Sequence, residues 1–333
     1  MINIGLFGAG VIGRVHAANI AQSDNAQLTH IVDIHAETAE ALAQTCGGKP
    51  CTDPAQVFDD PSVDAVIIGS NTQTHAEFVI AAARSGKAIL CEKPIAEDLA
   101  NARRCIEVAR NAGVLAVTGF NRRFDRNHRA LWNQVREGRI GRMDMLHLTS
   151  RSEKLPKLEN VPGSGGMLRE KGTHHYDLAR WIADDEAVEV FATGACRIEK
   201  KLADHGDLDT AMIILRFAGG AFCHFDFSRQ TNYGCDERIE AFGSGGMLES
   251  RHPQAGNLRF TSGPQIVENG LHQSWLERFR ESYSIELAAF IEAIKTGTSF
   301  LPTLEDGLAA QKIAEAVVRS VSENRPVRLD EFD

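Results

Sequence analysis

The feature that most restricts the fold is a glycine pattern near the start of the chain, directly after the apolar run at residues 2–7. The spacing G-x-G-x-x-G is formed by Gly8, Ala9, Gly10, Val11, Ile12 and Gly13, and Asp33 follows 20 residues later. Between a strand and a helix, such glycines permit a tight turn, close approach of the backbone to a pyrophosphate, and close helix–strand packing. A carboxylate at position 33 would accept hydrogen bonds from ribose hydroxyls and repel a 2′-phosphate. The pattern therefore predicts a dinucleotide site for NAD rather than NADP.

Apolar runs and helical patterns alternate through the first 120 residues. The predicted strands are 2–7, 28–33, 64–69, 88–91 and 114–119, and the predicted helices are 11–22, 36–45, 75–86 and 97–112. Repeated strand–helix units form a parallel sheet with helices on both faces. We therefore predict an α/β fold in which residues 1–121 form a doubly wound, NAD-binding Rossmann domain.

The pattern changes after residue 121. Helical spacing covers 126–137, 283–296 and 304–323, and strand patterns cover 142–151, 188–198, 207–217, 221–229, 236–243 and 247–250. We predict that residues 122–333 form a second α/β domain with an open, largely antiparallel sheet, which binds substrate and mediates oligomerisation. The sequence leaves open whether helix 304–323 packs back on the first domain.

Composition and charge exclude several classes of protein. The formal charge is −9 and no dense basic run is present, so we expect no nucleic-acid partner. No apolar stretch reaches the roughly 20 residues that cross a bilayer, and the chain enters its first strand at Ile2 without a leader pattern. Seven cysteines, an odd number without a CxxC pair, indicate reduced thiols rather than disulfides or a zinc set. We therefore expect a cytoplasmic protein without a membrane segment or a metal site.

Polar residues follow three of the predicted strands. They are Ser70, Asn71 and Thr72, with His75 close by; Glu92, Lys93 and Pro94; and Asn121 and Arg122. Parallel strands bring their carboxyl ends to one edge of the sheet, where such folds bind ligands, so we expect these residues beside the cofactor. Lys93 leaves a buried strand and is expected to serve catalysis or substrate binding rather than surface solubility. Pro94 allows a cis peptide bond before it.

A second group of chemically active residues lies at 163–181, where a glycine-rich stretch leads through Glu170 into a helix. Thr173 is predicted as the N-cap of that helix, which places His174 in its first turn and Asp177 on the same face. Neighbouring positions on a helix point in different directions, so the two adjacent histidines do not suit one metal ion. We predict a catalytic histidine flanked by carboxylates; a purely structural histidine is the alternative.

Together these motifs resemble the glucose–fructose oxidoreductase and inositol dehydrogenase family (Gfo/Idh/MocA) over essentially the whole chain. The resemblance rests on the glycine pattern, on Cys91-Glu92-Lys93-Pro94-Ile95, on the Gly-Gly…Gly-x-His-x-x-Asp-x-x-Arg-Trp block at 165–181, and on Glu305-Asp306-Gly307. Stretches at 119–125, 148–151 and 228–238 are similar to those of myo-inositol 2-dehydrogenases. The resemblance implies NAD-dependent oxidation of a ring secondary alcohol of a cyclic polyol to a ketone, by a homo-oligomer that family analogy makes a tetramer.

The resemblance also implies roles for the matched residues. Lys93 would stabilise the reacting oxygen and His174 would be the general base, while Glu170 and Asp177 orient the histidine and neighbouring substrate hydroxyls. Weaker candidates for lining the substrate pocket are Asn121, Arg122 and Tyr233.

The sequence departs from the family pattern at two positions of the histidine block. Glu170 stands where the family has aspartate, and His175 stands where an acidic residue is frequent. The segment Ser152-Glu153-Lys154 also replaces a stretch that is usually acidic and rich in proline. These departures keep a second substrate class open: an aldose or another sugar, oxidised or reduced with NAD or NADP.

Two further functions are compatible with a fold of this kind. One is a non-catalytic regulator that senses NAD, and the other is a hydrolase or lyase that uses NAD as an internal redox relay. The presence of both Lys93 and His174 favours a dehydrogenase.

Three phenylalanines of one predicted strand bear on assembly. Phe222, Phe225 and Phe227 form either exposed apolar surface for a subunit contact or ordinary core packing.

Overall fold

The computed structural model describes residues 1–251, 253–299 and 302–333, which divide into two compact units. Unit 1 comprises Met1–Phe124 and Glu281–Ala309, and unit 2 comprises Asp125–Arg280 and Ala310–Asp333. The chain therefore leaves unit 1 after Phe124, returns to it at Glu281 and leaves it again after Ala309.

The sheet of unit 1 is entirely parallel. Its strands are β1 (Ile2–Phe7), β2 (Ala26–Val32), β3 (Lys49–Cys51), β4 (Ala65–Ile68), β5 (Ala88–Glu92) and β6 (Ala116–Gly119). Their order, β3-β2-β1-β4-β5-β6, reverses between β1 and β4, which is where ligands bind in doubly wound sheets. The predicted parallel α/β architecture is confirmed.

Helices cover both faces of this sheet. They are α1 (Val11–Ala21), α2 (Ala36–Cys46), α3 (Ala55–Phe58), α4 (Thr72–Arg84) and α5 (Leu99–Ala112), followed by a 3-10 turn at Asn121–Phe124. One apolar core joins the sheet to α1 and α2 and includes Leu287 and Phe290. The other joins it to α4 and α5 and includes Leu304. The sequence did not predict β3 or α3, because each is no longer than four residues.

Unit 2 contains a seven-stranded mixed sheet and a separate hairpin. Its strands are β7 (Met143–Arg151), β8 (Ala187–Ala195), β9 (Thr210–Phe217), β10 (Phe222–Ser228), β11 (Asp236–Gly243), β12 (Gly246–Ser250), the hairpin β13 (Arg259–Ser262) and β14 (Gln265–Glu268), and β15 (Val327–Arg328). The sheet order is β12-β11-β7-β10-β9-β8-β15. Among the described strands of this sheet, β7 and β10 alone pair in parallel, so the prediction of a largely antiparallel sheet is confirmed.

The remaining helices follow the strands of unit 2 or connect them. They are α6 (Arg126–Arg136), α7 (Gly166–Glu170), α8 (Gly172–Ala183), α9 (Trp275–Thr296) and α10 (Leu304–Glu323), with 3-10 turns at Leu158–Asn160, Lys200–His205 and Leu329–Phe332. The division into units falls inside α9 and inside α10.

The two faces of the unit 2 sheet differ in burial. Phe225 and Phe227 are fully buried, and the ring of Tyr176 from α8 meets Phe225 edge-on at 5.4 Å. Side chains that alternate with them point to the other face, where Phe222 is 50% exposed and Ile214 is 49% exposed. Of the three phenylalanines, two therefore belong to the core and one to an apolar outer surface.

Five of the seven cysteines are buried. Within the described residues, no helix combines the length and apolar character that a membrane crossing requires.

Candidate active site

The glycine loop joins the end of β1 to the start of α1. Gly8 has a φ of +94°, and a Cβ there would come within 2.6 Å of the Gly69 carbonyl oxygen. A Cβ on Gly13 would lie only 1.9 Å from the Gly8 carbonyl oxygen. By contrast, a Cβ on Gly10 would meet no atom within 4 Å. Two of the glycines are therefore required by the fold itself, whereas the third borders open space.

Asp33 follows β2 and is tied to the glycine loop. Its Oδ2 accepts a hydrogen bond from the Ala9 N–H at 2.8 Å, and its Oδ1 accepts one from the His35 N–H at 2.9 Å. These bonds fix the carboxylate at the carboxyl end of the sheet. The open surface at Gly10, a helix start without a side-chain cap and this carboxylate fit a dinucleotide, with its phosphates at α1 and a ribose at Asp33.

The segment after β4 forms the next part of the site. Asn71 is the N-cap of α4, because its side chain accepts a hydrogen bond from the Gln73 N–H at 3.1 Å, and Thr72 begins that helix. The Ser70 hydroxyl lies 2.7 Å from that of Thr74.

His75 connects this segment to the loop after β5. The ring is buried, its Nδ1 lies 2.8 Å from the Pro94 carbonyl oxygen, and its Nε2 lies 3.1 Å from the Ser70 carbonyl oxygen. Burial lowers its pKa, and the contacts with the two carbonyl oxygens oppose this shift. His75 thereby holds two loops at the carboxyl edge of the sheet.

Glu92 and Lys93 end β5. The buried Glu92 carboxylate lies 2.9 Å from Nε2 of His16 in α1. A Cβ at Gly119 would come within 3.1 Å of the same carboxyl group, which therefore lies over the end of β6. Lys93 is half-buried, and the Lys93–Pro94 peptide bond is cis, as Pro94 allows.

Asn121 and Arg122 lie inside unit 1. Asn121 is fully buried, donates from Nδ2 to the Ser282 hydroxyl at 2.9 Å, and accepts from Nη1 of Arg122 at 3.0 Å. Arg122 is 6% exposed and also donates to the Tyr283 hydroxyl. These contacts hold the residues after β6 against α9.

Glu286 completes this buried polar cluster and was not predicted from the sequence. It is 1% exposed, and no described residue donates a hydrogen bond to either carboxyl oxygen. Burial raises its pKa well above the ordinary range, the negative charge of Glu92 raises it further, and Arg122 opposes this. Because Glu286 lies far from Glu92 in the sequence, no local pattern predicts that the two carboxyl groups interact.

The histidine block of unit 2 forms two consecutive helices. The prediction that Thr173 is the N-cap is wrong. Helix α8 begins at Gly172, directly after α7, and the Thr173 hydroxyl donates a hydrogen bond to the Arg169 carbonyl oxygen. His174 lies in the first turn of α8 and is 7% exposed, and Asp177 is fully buried.

The Glu170 side chain is half-exposed and faces an arginine. Its Oε2 lies 3.9 Å from Nη1 of Arg229, whose Nη2 donates to Asp207 at 2.7 Å. The guanidinium is thus held by Asp207, and Glu170 keeps one face toward solvent.

The His175 side chain points into the interior of unit 2. Its Nε2 lies 3.1 Å from Oε2 of Glu237, and the Ser150 hydroxyl donates to Oε1 of the same carboxylate at 3.1 Å. This residue therefore anchors α8 to β7 and β11. No cluster of three or more potential metal ligands occurs in the described part of the chain.

Tyr233 is 44% exposed. Its hydroxyl donates to Oδ2 of Asp236 at 2.9 Å and accepts from Nη1 of Arg151 at 3.1 Å. The ring is therefore partly exposed to solvent, while residues of β7 and β11 hold its hydroxyl in place.

A glycine loop on a doubly wound sheet, an acid after the second strand and a second α/β unit define a dinucleotide-dependent oxidoreductase. The model of the oxidoreductase family with an NAD-binding Rossmann fold matches residues 2–120, and that of its C-terminal alpha/beta domain matches residues 133–329. The chain belongs to the Gfo/Idh/MocA family, and it is an NAD-dependent enzyme.

Similar proteins cover the chain from end to end. It is 40% identical over 336 residues to the myo-inositol 2-dehydrogenase of Thermotoga maritima, covering 99% of each chain. It is 37% identical over 329 residues to an inositol 2-dehydrogenase of Rhizobium meliloti, covering 98% of this chain and 99% of that one. The solved scyllo-inositol dehydrogenase of Lactobacillus casei, with bound NAD(H) and scyllo-inositol, superimposes with a TM-score of 0.93 at 25% identity over 99% of both chains.

Proposed function

We propose that this protein oxidises a ring secondary alcohol of an inositol, myo-inositol or a related isomer, to the ketone. The observation that carries the proposal is full-length similarity to proteins named for that reaction, the first at 40% identity. The presence of a lysine at position 93 and a histidine at position 174 supports it, since both side chains suit alcohol oxidation.

We propose that residues 1–121 bind NAD and that residues 122–333 bind the substrate. NAD, when bound, supplies the acceptor for the hydride that leaves the carbinol carbon. The residues proposed to hold it are those of the glycine loop at 8–13, Asp33, Ser70, Asn71, Thr72, His75, Glu92, Lys93 and Asn121. Gly10 supports this assignment because its open surface admits a phosphate.

The protein's own groups manage the proton and the charge. His174 takes the proton of the alcohol as the C–H bond breaks, because an imidazole titrates near neutral pH. Lys93 donates a hydrogen bond to the same oxygen and stabilises its developing negative charge. Glu170 and Asp177 orient the histidine and neighbouring hydroxyls, and Arg122 and Tyr233 complete the substrate pocket.

We further propose a cytoplasmic homo-oligomer, a tetramer by analogy with the family. The outer face of the unit 2 sheet supports this, because Phe222, Met145 and Phe242 lie in register across three strands and are all at least 40% exposed. A contiguous apolar surface of this kind is typical of a protein–protein contact.

Glu170 favours one alternative, a dehydrogenase of an aldose or another sugar. The side chain is one methylene longer than the family's aspartate and faces Arg229, so it changes the space available to substrate hydroxyls. A panel of myo-inositol, scyllo-inositol and common aldoses, each with NAD and with NADP, separates the two functions by absorbance of the reduced cofactor. We expect the highest kcat/KM with an inositol and NAD; a preference for aldoses would replace the proposal.

A further inference from the structure

Lys171 is a half-buried lysine that the catalytic scheme does not use. It lies between α7 and α8, directly after Glu170 and three residues before His174. Its Nζ donates to the Ser152 hydroxyl at 2.7 Å and to the Ser228 carbonyl oxygen at 3.0 Å. A buried ammonium is costly unless it is well hydrogen-bonded, so this placement requires a reason.

The two acceptors lie at the same edge of the unit 2 sheet. β7 and β10 run in parallel with Arg151 opposite Ser228, and the Ser152 N–H also donates to the Ser228 carbonyl at 2.9 Å. Lys171 therefore joins the ends of both strands to the start of the helix that carries His174. Glu170, which faces Arg229 directly after Ser228, lies at the same edge.

The ammonium fixes which way the Ser152 hydroxyl can bond. A serine hydroxyl has one hydrogen and two lone pairs, and an ammonium has three hydrogens and no lone pair. Lys171 occupies a lone pair of Ser152 and cannot accept its hydrogen. Among the described residues no group accepts that hydrogen, and Ser152 is only half-buried. The hydroxyl is thus a charge-assisted donor available to a ligand.

We propose that Ser152 donates a hydrogen bond to a substrate hydroxyl other than the one oxidised, and that Lys171 is the positioning residue that keeps it a donor. This pair sets which hydroxyl arrangement is accepted, and so contributes to the choice among inositol isomers. The inference rests on the proposed function, because it assumes a polyol substrate.

The proposal predicts a characteristic pH dependence. Burial lowers the pKa of Lys171 to about 8; Glu237, Cys235 and Glu170 favour the charged form, and Arg229 opposes it. Above that pH the neutral amine gains a lone pair and accepts the Ser152 hydrogen, which withdraws the donor from the substrate. KM for the polyol should therefore rise as the pH passes about 8.

The test compares Ser152→Ala, Lys171→Met and the double variant with the wild type, using the inositol that the wild type oxidises best. Each single variant should raise KM about five- to tenfold with little change in kcat, as loss of one hydrogen bond predicts. The double variant should be no worse than either single variant, because both act through one bond. The rise in KM at alkaline pH should disappear in both single variants.

Lys157→Met is the matched control, since that lysine is 78% exposed and should leave KM unchanged. Retained NAD binding, measured by fluorescence titration, shows that each variant is folded; if Lys171→Met is not, Ser152→Ala and the wild-type pH profile decide. Unchanged KM in Ser152→Ala, or a rise in KM that persists without the Ser152 hydroxyl, would overturn the inference. A wild type that oxidises no polyol at all would instead contradict the proposed function.

Discussion

The carbonyl oxygen of Gly8 lies so close to the α-carbon of Gly13 that a Cβ there would approach it to 1.9 Å. Gly10, between them in the same loop, faces open space. One loop thus contains a glycine that the fold requires and another whose small size matters only to a ligand.

The two glycines should respond differently to the same substitution. Gly13→Ala should lower the free energy of unfolding by several kcal/mol, as overpacking against rigid backbone does, or prevent folding. Gly10→Ala should fold normally but bind NAD at least about tenfold more weakly, because its methyl group occupies the approach to the phosphates. Chemical unfolding and NAD titration measure the two effects, and normal NAD affinity in Gly10→Ala would contradict the assignment.

Replacing Lys93 or His174 by alanine should remove catalysis. We expect kcat to fall by at least about 10²-fold in each variant, the lower range for a positioned acid–base group, and the His174 variant should keep its NAD affinity. His205→Ala and Lys157→Ala, both at exposed positions, serve as controls. Near wild-type turnover in either active-site variant would show that its assigned role is wrong.

Asp33→Ala should relax the preference for NAD. The substitution removes the charge that opposes a 2′-phosphate, and the ratio of kcat/KM for NAD to that for NADP should fall by about tenfold or more. Asp53→Ala is a suitable control, because Asp53 also accepts a backbone hydrogen bond near a helix start, from the Ala55 N–H. An unchanged ratio would exclude Asp33 from ribose recognition.

Glu286→Gln should change how stability depends on pH. The folded state raises the pKa of Glu286 and keeps its proton, whereas the unfolded chain releases that proton above the ordinary pKa. Wild-type stability therefore falls as the pH rises from the ordinary value toward the raised one. The glutamine does not titrate, so the variant does not lose stability in this way. The free energy of unfolding of the variant, relative to that of the wild type, should be higher by roughly 1 kcal/mol or more at neutral pH than at acid pH.

Urea unfolding at several pH values measures this difference, with the exposed Glu292→Gln as control on the same helix. Parallel stability curves for Glu286→Gln and the wild type would show that Glu286 is ionised in the folded protein.

The sequence predicted the parts of the molecule that local patterns encode. The glycine loop, the six-residue strand before it and the acid after β2 are all read within the first 33 residues. The end of β5 at Glu92 and the turn of α8 that carries His174 likewise follow from the apolar runs around them.

The contacts that the sequence did not predict join residues far apart in the chain. The side chains of Asn121 and Arg122 bond to Ser282 and Tyr283 of α9. Nothing near position 121 signals a partner 161 residues away. Lys171 was not predicted for the same reason, because a lysine in a sequence gives no indication that its ammonium donates a hydrogen bond to Ser152.

The most direct test of the account uses myo-inositol that carries deuterium on its ring carbons, incubated with the purified protein and NAD. We predict that each reduced cofactor acquires one deuterium, detected by mass spectrometry, together with one equivalent of the inosose ketone. Reduced cofactor without deuterium, or no reduction with any inositol isomer under conditions where NAD binds, would contradict the claim that this enzyme transfers hydride from an inositol carbon to NAD.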